Sequence, residues 1–485
     1  MKKILLIFFP FLFADIHGYL LAQNKDLDYS TSKYYVKATA GYGIGTNGPY
    51  DQSYDMNRNL VLYSAKLGNS FNSGAGIGYQ YNSNLGAELG FGYEYGFKND
   101  FFLGYGAYIR FTGDMWQTVP ALVFSSKAGI FRPYIRTGLI IGIPEVFIYQ
   151  NGYNQLTRLY GGLATGVQGA LGCSVPLRNK KWAVFAEASF NDIGFVPQKG
   201  SVETYGVGNQ MQYLPEIFKE TVYEKSFNPG ANTNNPNQPY TAPAIKQPFN
   251  AFVINAGIRL NIGGMPVNAV DDYVSQHILV RLNAGYGIAT NGDLYTETGT
   301  TINAKNVSYG TGSNFGGGVA YMFNKTIGFD LGVNDVSSVG IKADNGSTIS
   351  PNFSNNYYVK SAYGNMFQVI PSLVIATHIH KLLPYARLGL ILGSGNVYFN
   401  TENPRNGIQS TERFYGGLSS GYGLTVGTAY WLSYRYDLFM EACFNNIYDI
   451  PQYQSPDPPT AQPQVEFSFN ACVINVGIRM WFKRG

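Results

Sequence analysis

The sequence has little charge and very little cysteine. Only 13% of its 485 residues are Asp, Glu, Lys or Arg, about half the share of an ordinary soluble domain. Three cysteines are too few for a disulfide scaffold. The net charge of +4 is not concentrated in a basic stripe. We therefore expect no nucleic-acid partner.

Long hydrophobic runs are also missing after the N-terminus. No later stretch approaches the ~18 apolar residues of a membrane-spanning helix. The apolar run from Ile4 to Phe13 follows Lys2 and Lys3 and precedes small residues that end at Ala22. This pattern predicts a secretory signal peptide over residues 1–22. We expect an exported protein that no helix holds in a membrane.

The sequence contains two copies of one pattern. FNAFVINAGIR at 249–259 is matched by FNACVINVGIR at 469–479, and AGYGIGTNG at 40–48 by AGYGIATNG at 284–292. Further matched blocks follow the same order in both halves. We interpret this as a tandem duplication. The predicted units are residues 30–264 and 278–485, with a periplasmic-side linker over 265–277.

Each matched block alternates in polarity with a period of two, as a β-strand does. From Phe252 to Ile262, apolar side chains alternate with small, polar or charged ones. Eight such strands of about 10–12 residues fit each copy, and short turns alternate with long loops between them. This arrangement is typical of an all-β, up-and-down antiparallel transmembrane barrel.

The two strand faces differ in charge. One is almost uncharged and carries aromatic residues near its ends, as lipid contact requires. The other holds acids and bases at matching positions of both copies. An eight-stranded barrel has just enough room inside for side chains, so an enclosed charge must be paired. We predict a structural interior network of Lys37, Glu88, Arg136, Glu187, Arg259, Arg281, Asp330, Arg387, Glu441 and Arg479.

With these features the chain resembles the OmpA/OmpX-like family of small outer-membrane barrels, twice over. The resemblance implies an integral protein of the bacterial outer membrane, in contact with outer-membrane lipids and lipopolysaccharide. It also implies insertion by the outer-membrane assembly machinery, guided by terminal aromatics such as Trp481 and Phe482. Lys483, Arg484 and Gly485 extend past that signal.

Sixteen strands allow two closures. Two tandem eight-stranded barrels are favoured because each copy has its own acid–base set and because the linker is longer than the other turns on that side. One sixteen-stranded barrel is the alternative, and it would be wide and filled with water.

Motifs for catalysis, metals or cofactors are weak. Gly43, Gly45 and Gly48 fit a GxGxxG pattern, but Pro49 and a polar loop follow instead of a helix. His378 and His380 lie in a short turn without a nearby acid, and GxSxG is missing. We therefore expect no enzyme activity, no catalytic residues, no metal and no cofactor.

The long loops over 194–249 and 447–465 are rich in Pro, Asn, Gln and Tyr. They favour a role in membrane integrity or in surface interaction with an extracellular ligand. A porin-like channel or transporter for small solutes is the alternative, and a lipid-modifying enzyme with its site at the barrel rim is a second.

Overall fold

The structure is a computed structural model. It describes residues 33–46, 50–54, 60–64, 67–82, 84–104, 107–126, 130–151, 155–177, 181–204, 220–224, 226–227, 240–243, 247–262, 276–290, 295–298, 301–303, 308–324, 326–342, 347–350, 358–379, 381–402, 409–433, 435–449, 452–455 and 467–483. The predicted signal peptide and most of the predicted linker lie outside these residues. Within them, no helix is long and apolar enough to cross a membrane.

The first half of the chain closes into an eight-stranded antiparallel barrel. Its strands are β1 (Tyr34–Gly45), β2 (Ser70–Gln80), β3 (Leu85–Gly96), β4 (Ala107–Ser125), β5 (Arg132–Gln150), β6 (Ala164–Pro176), β7 (Trp182–Phe195) and β8 (Ala251–Ile262). Each strand pairs with the next. The ring closes between β1 and β8, where Lys37 lies opposite Arg259.

The second half repeats this order. Its strands are β9 (Gln276–Ala289), β10 (Gly312–Met322), β11 (Ile327–Ser338), β12 (Tyr358–Ala376), β13 (Leu382–Glu402), β14 (Ser419–Trp431), β15 (Tyr436–Asp449) and β16 (Ala471–Lys483). Closure is between β9 and β16, with Arg281 opposite Arg479. The prediction of two eight-stranded barrels is therefore confirmed, and the single sixteen-stranded ring is wrong.

Burial alternates along the barrel strands because one face of each strand is outside and the other is in the lumen. Outward apolar residues such as Ile77 and Leu282 are 55% and 64% exposed. Inward charged residues such as Glu88 and Arg281 are 6% and 5% exposed. So much exposed apolar surface around a closed ring of strands is stable only in contact with lipid.

Two pairs of strands are longer than the sequence predicts. β4, β5, β12 and β13 continue beyond the long-loop rim, which is the external side in barrels of this kind. Two predicted strands, over 160–175 and 413–428, are interrupted. Positive φ angles of 73° and 87° at Gly161 and Gly162, and of 70° and 111° at Gly416 and Gly417, turn the chain there. Such angles are readily adopted by glycine.

Short strands outside the two rings belong mostly to the external loops. Gln155–Tyr160 pairs with the extension of β5, and Gln409–Tyr415 pairs with the extension of β13. The others are Tyr50–Tyr54, Leu60–Ser64, Asn99–Gly104, Lys199–Thr204, Glu220–Glu224, Ser226–Phe227, Tyr240–Pro243, Gln247–Pro248, Tyr295–Thr298, Thr301–Asn303, Ile341–Lys342, Ser347–Ser350, Tyr453–Ser455 and Phe467–Ser468. The external loops are thus partly built as sheet.

The two barrels touch through corresponding strands. Phe124 and Ile135 of the first barrel pack with Ile375 and Ala386 of the second, which occupy the matching positions. The rings of Phe190 and Tyr422 stack at 4.3 Å. These outward side chains are apolar, so they are suited to a neighbouring barrel or to acyl chains alike.

Because each ring closes on its own strands, we expect residues 24–266 to fold alone when refolded into detergent micelles. Lipid or detergent can cover Phe124 and Ile135 in place of the second barrel. Folding is measured as heat-dependent mobility on gels together with a β-sheet circular dichroism spectrum. A fragment that stays unfolded while the full chain refolds under the same conditions would contradict independent closure.

Candidate functional site: the barrel lumens

The first lumen contains a layer of paired charges from four strands. The Arg136 guanidinium donates two hydrogen bonds to Glu187, with Nε–Oε2 at 3.1 Å and Nη2–Oε1 at 2.5 Å. Its Nη1 also lies 3.7 Å from Glu88. Lys37 Nζ is 2.7 Å from the same Glu88 oxygen. Arg136 therefore pairs with Glu187 and links it to the buried Lys37–Glu88 pair.

Two tyrosines complete the hydrogen bonding of this layer. The Tyr35 hydroxyl donates to Glu88 at 2.9 Å, and the Tyr134 hydroxyl donates to Glu187 at 3.2 Å. A side chain at Gly172 would overlap the Tyr134 ring, so glycine at this strand position makes room for the phenol.

The second lumen has an equivalent layer with a different acid. Arg281 donates to both Asp330 oxygens, at 3.2 and 2.9 Å. Arg387 bridges Asp330 at 3.0 Å and Glu441 at 2.6 Å. The Tyr385 hydroxyl donates to Glu441 at 2.7 Å. Arg387 thus has the place that Arg136 has in the first barrel.

Arg259 and Arg479 lie apart from the glutamates. Arg479 is 4% exposed, and its Nε is 3.8 Å from Asp437 Oδ1. Its guanidinium also lies 4.0 Å from the centre of the Tyr385 ring. The ion-pair partner of Arg479 is therefore Asp437, which was not among the predicted network residues, and not Glu441. The signal was available, because Asp437 precedes Glu441 by four residues and therefore shares its face of the strand.

Arg259 has a ring as its neighbour. Its guanidinium lies 5.0 Å from the centre of the Tyr35 ring, which is buried in the lumen. Among the described residues, no carboxylate forms an ion pair with Arg259. The position opposite it on β7 is Ala183, whereas Asp437 lies opposite Arg479.

Apolar layers close the external end of both lumens. In the first barrel, Leu67, Met115, Ile140 and Phe249 belong to one fully buried cluster. In the second, Tyr309, Met366, Ile391 and Phe469 form the corresponding cluster. The cavities beside the ion-pair layers are small, at about 70 Å³ in the first barrel and about 20 Å³ in the second. Side chains thus fill most of both lumens.

Within the described part of the chain, no group of three or more His, Cys, Asp or Glu side chains is placed to hold a metal ion. The His378 ring packs edge-on against Trp431 at 5.3 Å. His380 and the last glycine of the GxGxxG pattern lie outside the described residues.

No family model matches the sequence, and no curated protein matches it. Among solved structures, Neisserial surface protein A is similar, with 13% identity over 42% of this chain and 97% of that chain and a TM-score of 0.24. The N-terminal β-barrel domain of Pseudomonas aeruginosa OprF has 11% identity over 43% and 98%, with a TM-score of 0.21. The CymD monoaromatic hydrocarbon channel has 10% identity over 96% and 93%, with a TM-score of 0.19.

At such identities and scores, these likenesses carry no argument about function. The class of the protein follows from its own geometry instead. Closed antiparallel rings with apolar outer faces and ionic lumens are integral outer-membrane β-barrels. The resemblance to OmpA/OmpX-like barrels is confirmed at the level of architecture, as two eight-stranded rings in one chain.

The buried layer predicts a large cost for losing one acid. Glu441→Ala removes one of the two carboxylates that Arg387 bridges, and it removes the acceptor of the Tyr385 hydroxyl. We expect a loss of about 3–5 kcal/mol in the free energy of unfolding, measured by urea titration in lipid vesicles. The matched control is Glu145→Ala, which breaks a more exposed pair with Arg158 and should cost about 1 kcal/mol or less. Equal, small losses would mean that water floods the lumen.

Proposed function

We propose that this is a non-enzymatic outer-membrane protein whose two plugged barrels anchor an external sheet, with a role in membrane integrity and surface interaction. The observation that carries the proposal is that two layers of side chains block each lumen. An ion-pair layer crosses the middle, and an apolar cluster lies toward the external rim. A solute path through either barrel would have to disrupt both.

The closure is costly to open. An ion that entered the layer would have to separate pairs such as Arg136–Glu187 or Arg387–Glu441, each buried and joined by hydrogen bonds. Separating a buried pair costs several kcal/mol. The residual cavities of about 70 and 20 Å³ hold a few waters and do not form a channel. A porin-like role therefore has less support than a structural one.

The external extension of the second barrel supplies a surface for contact. The rings of Tyr363 and Tyr398 stack at 4.8 Å, and the Arg413 guanidinium lies 4.7 Å from the Tyr415 ring. Nearby, Asn396 donates to Asn365 at 3.1 Å. Aromatic rings beside amides and guanidinium groups combine apolar area with hydrogen bonding, which suits recognition at a wet surface.

A charged pair stabilises the corresponding region of the first barrel. Arg110 donates to both oxygens of Asp100, at 2.6 and 2.8 Å. These hydrogen bonds lower the pKa of the Asp100 carboxyl, so the pair persists in mildly acidic water outside the cell. The pair joins the short strand Asn99–Gly104 to the extension of β4, on which Arg110 lies opposite Asp100.

The remaining parts of the proposal concern export and origin. We propose that residues 1–22 are removed as a signal peptide and that residues 265–277 link two duplicated units on the periplasmic side. Insertion by the outer-membrane assembly machinery and contact with lipopolysaccharide belong to the same proposal. The matched ion-pair layers of the two barrels support duplication.

Conductance tests the proposal. Purified full-length protein in planar lipid bilayers should give no stable unitary steps at low voltage, because both lumens are closed. A preparation from cells that carry an empty vector controls for contaminating porins. Reproducible steps in the nanosiemens range that occur only with the full-length protein would contradict a plugged pair and favour a solute channel.

A further inference from the structure

The two barrels differ sharply at their periplasmic ends, although their strands match. In the first barrel, Arg132, Arg259, Ser125, Ser174, Gln80 and Tyr35 line a cavity of about 30 Å³. We call this cavity the periplasmic mouth, since it lies at the short-turn end. It is next to the ion-pair layer and is also lined by Lys37 and Glu88.

The second barrel fills the same space with apolar side chains. Arg132 lies opposite Ser174 in the first barrel, and Leu383 lies opposite Ala429 at the same register in the second. Arg132 therefore corresponds to Leu383, and Ser174 corresponds to Ala429. Register also equates Tyr35 with Leu279. The second set belongs to one buried cluster that includes Met322, Ala376, Tyr385, Phe439 and Trp481. The second barrel therefore has a sealed end where the first has a polar cavity.

The periplasmic ends of the two barrels also differ in net charge. Among the described residues that line the mouth of the first barrel, Lys37 pairs with Glu88, and Arg259 forms no ion pair with a carboxylate, which leaves the charge of Arg259 in excess. At the matching positions of the second barrel, Arg281 and Arg479 are positively charged and Leu383 is uncharged. Asp330 and Asp437 supply two negative charges. That end is neutral. The built-in carboxylate Asp437 occupies the register position that Ala183 has in the first barrel.

Unused hydrogen-bonding capacity lies at the same place. Ser174 is 1% exposed, and its Oγ has no hydrogen-bond partner among the described residues. The buried Nε of Arg259 likewise has none. A hydroxyl and guanidinium groups around a positively charged cavity are the donors that hold phosphate and carboxylate groups in proteins.

We propose that the periplasmic mouth of the first barrel binds a small oxyanion, namely a phosphate or carboxylate group. Arg259 supplies the charge, and Ser174 supplies a hydroxyl donor. At about 30 Å³ the cavity restricts the occupant to a small group. The oxyanion supplies beside Arg259 the negative charge that the Asp437 carboxylate supplies beside Arg479 in the second barrel. Its source is either a free ion or the headgroup of a phospholipid from the inner leaflet.

Full-length protein in a phosphate-free neutral detergent is titrated with inorganic phosphate, and binding is followed by phosphorus NMR line width and calorimetry. We expect saturable binding to one site. Ala183→Asp copies the counter-ion of the second barrel and should weaken binding about tenfold or more, because an internal carboxylate neutralises Arg259. Arg132→Leu, which copies Leu383, should act in the same direction. Arg110→Gln removes an external charge and should bind as the parent does.

A second measurement identifies the source. If a phospholipid headgroup is the occupant, native mass spectrometry should detect one retained phospholipid, which Ala183→Asp should release. The gel mobility of each variant establishes that it is folded. The proposal is overturned if the folded parent protein neither binds inorganic phosphate nor retains a phospholipid. It is equally overturned if folded Ala183→Asp binds as tightly as the parent.

Discussion

In both lumens an arginine from the fifth strand of the ring joins two carboxylates from other strands. Arg136 contacts Glu88 and Glu187, and Arg387 contacts Asp330 and Glu441. Lipid on the outer face leaves the lumen as the only place for these side chains within the membrane. Once inside, they must pair, because an isolated buried charge costs several kcal/mol. The rest of the barrel is arranged around this constraint.

Several features follow from it. Glycine at positions such as Gly172 is required because arginine and tyrosine side chains fill a narrow ring. The apolar clusters at the external end keep water from the ion pairs and so strengthen them. Apolar residues predominate on the outer faces of the described strands, and the two barrels touch there through Phe124 and Ile375. Among the described residues, the exposed ion pairs involve the extensions of the long strands.

The sequence was sufficient to predict the strands and their orientation, because a period of two assigns each residue to one face. It also placed acids and bases at matched positions of the inward strand faces, and the interior layer was predicted from that recurrence. It missed Asp437, which has no acidic counterpart in the first copy, and it missed the tyrosines that complete the layer. Strand closure was left open because a polar inner wall is common to narrow and wide rings. The contact between barrels was not predicted, since outward apolar residues look the same whether they meet lipid or protein.

Proton exchange at the interior arginines tests the account most directly. In lipid nanodiscs, NMR can compare the Nε protons of Arg136 and Arg281, which donate to buried carboxylates, with that of Arg110, which lies in the external sheet. The account predicts exchange with water that is slower by orders of magnitude for the two interior arginines than for Arg110. Exchange at the same rate for all three would show a flooded lumen and would contradict the closed, paired interior.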